Sequence, residues 1–307
     1  MNHSNSEIII ICGITATGKS QLAAKLGQLI NGEVINADSQ QVYTDMDIIA
    51  QSPSSQMLSL CPHHLYSIVK PNEKLSAADW ANLAEDKVKS INELNKTPIL
   101  CGGTGFYIHA LLNSLPKHPD IDKQVALKLE KNWSEELRNE IREILKTLDP
   151  VSFEKIHPND RYRNIKAFLV SCEGKPYSEY KTEKRKDLNF KGIILSMKKE
   201  QHKEFVYKRT KSMIDQGLVE EARALMDRFG DLETQKAIGF QEARSFLNKK
   251  LVKSELDKLI NKNTLAYAKR QKTWFRNKFP EFKWLELEKP FDESDQETLE
   301  KVLSIIK

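Results

Sequence analysis

The sequence predicts an α/β fold: a parallel sheet carrying a phosphate-binding loop, broken by an inserted all-helical subdomain and followed by a helical C-terminal region. Three observations predict it. Short β-branched runs alternate with helical spacing before Asn113; the first run ends in GxxxxGK[ST], the mark of a P-loop NTPase-like core; and strand signals cease for some 75 residues before returning at Lys191. Strand–helix alternation of this kind builds parallel sheets with helices on their faces.

Glu7-Ile-Ile-Ile-Ile-Cys12 reads as a buried central strand stopped by Gly13. Leu22, Leu26 and Leu29 set a helix over Gln21 to Ile30, and Glu33-Val-Ile-Asn36 is a second strand. Ser76-Ala-Ala-Asp79 is a capping box opening a helix that runs to about Leu94. Pro98-Ile-Leu-Cys101 is a third strand, stopped by Gly102-Gly103, and a helix follows. Ile121 to Leu148 and Arg161 to Cys172 carry apolar spacing of three and four among dense charge. The strand Lys191-Gly-Ile-Ile-Leu195 then resumes the sheet, and helices dominate from Lys199 to about Lys278, with breaks near Gly230 and Gly239. The expected domains are therefore 1–113 with 189–307, a discontinuous catalytic core, and 114–188, the helical insertion.

Composition removes several classes. No apolar run approaches a membrane span, and the first six residues lack the features of a signal peptide. Cys12, Cys61, Cys101 and Cys172 are too scattered for a disulfide framework or a zinc knuckle, which fits a reducing cytoplasm. Charge is uneven: residues 1–116 hold 7 lysines against 10 acids, whereas 198–283 hold 21 bases against 12 acids. A basic segment behind an acidic half fits a polyanionic partner, although solvated lysines on helix faces explain it equally well.

Gly13-Ile14-Thr15-Ala16-Thr17-Gly18-Lys19-Ser20 follows a strand and opens a helix, as a phosphate loop requires. The glycines let backbone N–H groups turn around phosphate oxygens, and the helix N-terminus adds positive potential. Lys19 supplies a mobile cation and the Ser20 hydroxyl a ligand for Mg²⁺. An ATPase or GTPase would end a neighbouring strand in an Mg²⁺-binding Asp; here that strand ends Cys101-Gly-Gly-Thr104, and the strand-end carboxylate is Asp38. In a parallel sheet Asp38, Thr104 and the loop share the C-terminal edge. A carboxylate and a hydroxyl beside a phosphate cradle suit removal of a proton from a nucleophile near a departing or transferring phosphate. Helix capping is the structural alternative for both residues, and a P-loop kinase of a small metabolite or an RNA-binding protein with a relic loop are the functional ones. His63 and His64 read as packing or capping residues, and Trp274 with Phe275 as core.

The ordered set of motifs resembles the bacterial tRNA dimethylallyltransferases, isopentenyl transferases acting on tRNA. Beside the phosphate loop it comprises Asp38-Ser-Gln-Gln-Val-Tyr43 with Met46-Asp-Ile48, Pro62-His-His-Leu65, Ser76-Ala-Ala-Asp79 and Gly102-Gly-Thr-Gly-Phe-Tyr107. His157-Pro-Asn-Asp160, Gly217-Leu-Val-Glu-Glu221, Ala237-Ile-Gly-Phe240 and Ala268-Lys-Arg-Gln-Lys-Thr-Trp274 complete it, in family order from residue 7 to about 278.

The resemblance implies transfer of a dimethylallyl group from dimethylallyl diphosphate to N6 of the adenosine immediately 3′ of a tRNA anticodon, with release of pyrophosphate. It implies Asp38, Thr104, Lys19 and Arg209 as catalytic residues, Gly13 to Ser20 as the diphosphate or nucleotide cradle, and Mg²⁺ on Ser20. Contacts to the anticodon stem-loop would come from Asp38, Ser39, Gln40, Gln41, Thr104 and Val125, from Tyr162-Arg163-Asn164-Ile165-Lys166 in the insertion, and from Lys236-Ala237-Ile238-Gly239-Phe240-Gln241. A cytoplasmic monomer is the family expectation. Three departures bear on binding: Ser52 replaces a family lysine, Lys166 stands where arginine is common, and Gln241 stands where a basic residue is usual.

Overall fold

The computed structural model describes residues 7–232 and 235–307. Two compact units emerge, one formed by the chain up to Leu112 with Lys186–Lys307, the other by Asn113–Arg185.

In the larger unit β1 (Ile8–Gly13) is buried along its whole length, hence its unbroken apolar run. Helix α1 (Lys19–Leu29) starts at Gly18, whose φ of 79° no β-carbon favours, and β2 (Gly32–Asn36) follows. Two short helices, α2 (Asp47–Ala50) and α3 (Ser55–Leu60), lead to β3 (His63–His64). The Ser76 hydroxyl accepts the Asp79 N–H and so caps α4 (Ala77–Glu93), as its sequence signature foretells. Next come β4 (Thr97–Gly102) and α5 (Gly105–Leu112).

The smaller unit holds β5 (Asn113–Ser114), α6 (Lys123–Lys131), α7 (Glu135–Leu148), α8 (Pro150–Lys155), α9 (Arg161–Glu173) and β6 (Glu183–Lys184). Ile141, Leu145, Ile156, Ile165 and Ala167 form its core. It is helical, yet β5 and β6 pair antiparallel at its two ends. Four polar residues, two per strand, carry no apolar alternation by which sequence could disclose them.

The larger unit resumes with β7 (Phe190–Met197), α10 (Lys199–Asp215), α11 (Leu218–Phe229), α12 (Phe240–Leu247), α13 (Lys253–Lys278), β8 (Lys283–Leu287) and α14 (Gln296–Ile306). The sheet order is β3-β2-β4-β1-β7-β8, and every pairing is parallel. β1 is central, with Ile10 opposite Leu100 on one side and Gly192 on the other. Two strands escape the sequence reading. His63 and His64 form the β3 edge, where His64 Nε2 meets Glu33 Oε2 at 2.6 Å. β8, at the other edge, shows mostly exposed side chains and no clean alternation.

One core packs α1 and α14 onto the sheet; a second joins Met46 and Ile49 to α10–α13 through Phe240, Leu218 and Ile260. Because all pairings are parallel, the loops after β1, β2 and β4 open on one edge. Gly102 allows two of them to meet: a Cβ there would overlap the Ala37 carbonyl group. Gly102→Ala should therefore destabilise by about 3 kcal/mol. Gly230→Ala meets no atom within 4 Å, but its φ of 80° with ψ of −165° is a conformation nearly confined to glycine, so it should cost about 2 kcal/mol through the backbone alone. Urea denaturation of both variants checks the contrast.

Candidate active site

The phosphate loop is shaped by its glycines and then held from behind. Gly13, at φ 134°, lies against the Leu195 backbone, and Gly18 lies against that of Phe291, with no room for a side chain at either. The Thr17 hydroxyl is turned inward onto the Ile14 carbonyl at 2.9 Å, while its own carbonyl accepts the Phe291 N–H at 3.1 Å. The N–H groups of Ile14 and Thr15 are already paired within the protein. The first donates to Leu195 O at 3.1 Å and the second to Gln271 Oε1 at 2.9 Å. The Lys19 ammonium donates to Ile14 O at 2.7 Å; burial lowers its pKa, opposed by nearby Cys101 and Asp38. The Ser20 hydroxyl hydrogen-bonds the Cys101 thiol, which burial pushes up to about 12 and so keeps protonated.

Asp38 and Thr104 meet across the β2 and β4 ends. The Asp38 Oδ1 accepts the Gln40 N–H at 2.9 Å, forming a tight turn and not a helix cap. Thr104 does not cap α5 with its side chain either. Its Oγ1 accepts the Ser39 N–H at 2.9 Å and donates to Ser39 Oγ at 3.1 Å, pinning the residue beside Asp38.

Four residues that carried no role in the sequence reading complete the edge. From α10, Arg209 donates to Thr15 Oγ1 at 2.5 Å and to Gln51 Oε1 at 3.4 Å, and His202 Nε2 lies 2.9 Å from Thr15 O. Arg209 itself was expected; His202, two turns earlier on the same helical face, was not. From α13, Gln271 Nε2 donates to Gly103 O at 2.9 Å, and the Tyr267 hydroxyl has Thr104 and Gln271 as hydrogen-bonding neighbours. Glu221, the last residue of a motif with no assigned task, accepts the Ile48 and Ile49 N–H groups, both at 2.8 Å. It thereby anchors α2, whose following residue Gln51 holds Arg209. A motif signal existed for Gln271, inside the Ala268 to Trp274 match, and for Glu221, inside Gly217 to Glu221; His202 and Tyr267 had none.

Two cavities open here. One of about 990 Å³ is lined by the phosphate loop, Ser52, Tyr66 and Lys208. The other, about 330 Å³, is lined by Ser39, Gln40, Lys236, Ala237, Ile238, Tyr267 and Arg270. Thr15, Asp38, Ala50 and Arg209 border both.

The remaining expected contacts divide by exposure. Val125, Tyr162, Arg163 and Lys236 are exposed, with Arg163 3.5 Å from Asp160. Lys166 is half-buried near the Tyr177 ring. Five are buried, Asn164, Ile165, Ala237, Phe240 and Gln41, although Ala237 and Gln41 still line the two cavities. The Asn164 amide is spent on the carbonyls of His157, Pro158 and Asp160, and that of Gln41 on Ala50 and Gln51. Gly239 offers backbone only, at φ 97°, and Gln241 is tied to the Gln235 carbonyl.

Burial holds His202 below the ordinary histidine pKa, reinforced by Lys19, Arg209 and Lys272 and opposed by its bond to Thr15. The folded state thus favours neutral imidazole, and the stability His202 contributes is present above about pH 6.5 and lost as pH falls below it. His202→Gln keeps an N–H donor and does not titrate. Its urea midpoint should drop less than the parent's between about pH 7.5 and about pH 5.5.

Comparison with known proteins agrees with this geometry. The family model described as IPP transferase matches residues 41–278. A tRNA dimethylallyltransferase of Geobacter sulfurreducens is 37% identical over 295 residues, covering 94% of each chain. The crystal structure of the full-length tRNA isopentenylpyrophosphate transferase of Bacillus halodurans superposes with a TM-score of 0.72 at 29% identity, covering 98% of this chain and 97% of that one. A eukaryotic dimethylallyltransferase acting on tRNA superposes with a TM-score of 0.79 at 25% identity, covering 98% of this chain and 78% of that one. The match over most of the chain and the identity to a relative covered almost end to end show that this chain belongs to the IPP transferase family.

Proposed function

We propose that this chain transfers the dimethylallyl group of dimethylallyl diphosphate to N6 of the adenosine 3′ of a tRNA anticodon, releasing pyrophosphate. The observation that carries the reading is the wall of Asp38, Thr15 and Arg209 shared by a phosphate-loop cavity and a second, smaller one. A diphosphate in the first and a flipped-out adenine in the second would bring the allylic carbon and the amine together at Asp38.

The allylic C–O bond breaks and its electron pair leaves with pyrophosphate, while the N6 lone pair forms the new C–N bond. The displaced N6 proton passes to the Asp38 carboxylate, which the Gln40 N–H holds through Oδ1. Lys19, Arg209 and the N–H groups of Ala16 to Ser20 neutralise charge on the leaving group. Thr104 sets the Asp38–Ser39 turn against the β4 end. The donor set suits Mg²⁺: one protein hydroxyl, Ser20, beside a phosphate cradle, the sparse protein ligation that this ion tolerates when substrate oxygens and water complete its shell. When bound it would add positive charge at the departing oxygens. The kinase reading is disfavoured because β4 ends in Cys101-Gly-Gly-Thr104, where a nucleotide hydrolase or kinase would hold Mg²⁺ with a carboxylate. RNA contacts are assigned to the exposed cations and aromatics, Tyr162, Arg163 and Lys236 among them. The chain is assigned to the cytoplasm as a monomer.

Incubation with tRNA and dimethylallyl diphosphate, followed by nucleoside mass spectrometry, should show one added prenyl group on adenosine. Release of ADP from ATP with no RNA product would contradict the reading. Asp38→Asn should lower kcat by about 10²- to 10⁴-fold with pyrophosphate affinity unchanged; a near-normal rate would remove Asp38 as the base. Arg163→Ala should weaken tRNA binding and flatten its salt dependence by about one unit of slope. Titrations at several salt concentrations measure it.

A further inference from the structure

We propose that Gln271 is a positioning residue that couples the phosphate loop to the acceptor edge, so that one side-chain amide sets the separation of leaving group and nucleophile. The inference rests on the prenyl-transfer reading above.

Gln271 is buried on α13, and its amide is used at both ends. Oε1 accepts the Thr15 N–H at 2.9 Å, and Nε2 donates to Gly103 O at 2.9 Å. Each partner continues toward one substrate. Thr15 holds Arg209 through its hydroxyl. Gly103 precedes Thr104, which fixes the turn beginning at Asp38. A Cβ at 103 would strike Gln271 Nε2, so a side chain there would displace the amide from the Gly103 carbonyl. Displacement at carbon depends steeply on how the attacking and departing atoms are set. An amide fits this post because it is an acceptor toward the loop and a donor toward the strand, with no charge to attract either ligand.

Gln271→Glu separates the two ends. The carboxylate still accepts from Thr15 but repels the Gly103 carbonyl; once protonated, it donates as the amide does. Burial and nearby Asp38 favour the protonated form, whereas Lys19 of α1, Arg209 of α10 and Lys272 on its own helix favour the ionised one, and His202, held neutral, adds no charge. The uncharged Tyr267 hydroxyl also faces it. At about pH 8 the variant's kcat, measured at saturating substrates, should be about 100-fold below the parent's, and the uncharged Gln271→Ala should keep pyrophosphate and tRNA dissociation constants within about three-fold. The ratio of variant to parent kcat should recover about ten-fold by about pH 6, as the acid protonates. Gln271→Ala should lose a similar factor with no recovery. A ratio for Gln271→Glu that is flat with pH, or a normal kcat for Gln271→Ala, overturns the proposal while leaving prenyl transfer intact. A parent protein that does not prenylate tRNA overturns both.

Discussion

Thr15 is held on three sides, and the arrangement of the site depends on that hold. Its N–H is taken by Gln271, its carbonyl by His202 and its hydroxyl by Arg209. Each such bond adds only about 1 kcal/mol net, but together they leave this part of the loop little freedom. The loop cannot shift without breaking contacts to α10 and α13, and those helices are packed into a core that includes Met46 and Ile49. The phosphate cradle and the walls of both cavities are therefore one mechanical unit.

The electrostatics follow from this packing. Lys19 and Arg209 are both drawn into low-dielectric surroundings, which burial penalises, and Asp38 is the nearby negative charge that offsets it. A site with two cations and one anion accommodates a diphosphate more readily than an isolated base does, and the same Asp38 remains open toward the second cavity. Neutral groups fill the intervening space: His202 kept unprotonated, Tyr267 raised above its usual pKa by burial, and the amide of Gln271. Neutral donors and acceptors position the reacting groups without competing for their charge.

Local pattern disclosed what is local. β1, the phosphate loop and α1 stand in one run of residues, and Ser76 caps α4 through a box visible four residues wide. Asp38 and Thr104 were legible because parallel strands bring their C-terminal ends to one edge. His202 and Gln271 lie 187 and 256 residues from Thr15, and no periodicity links such distant positions. Glu221 was visible inside a motif, but its partners, Ile48 and Ile49, were not. The insertion shows the opposite failure. Tyr162 to Lys166 form a single block in sequence, yet on α9 the helical turn sends Tyr162 and Arg163 outward and Asn164 and Ile165 into the core. Membership in a matching block cannot distinguish a contact residue from its supports.

If two cavities share one wall at Asp38, diphosphate and RNA must occupy the protein together. The most direct measurement is equilibrium binding of a labelled tRNA anticodon stem-loop to protein saturated with pyrophosphate and Mg²⁺. The account predicts a ternary complex, with RNA affinity within about three-fold of that measured without pyrophosphate. Displacement of the RNA as pyrophosphate is titrated would contradict it and place both ligands in a single shared site.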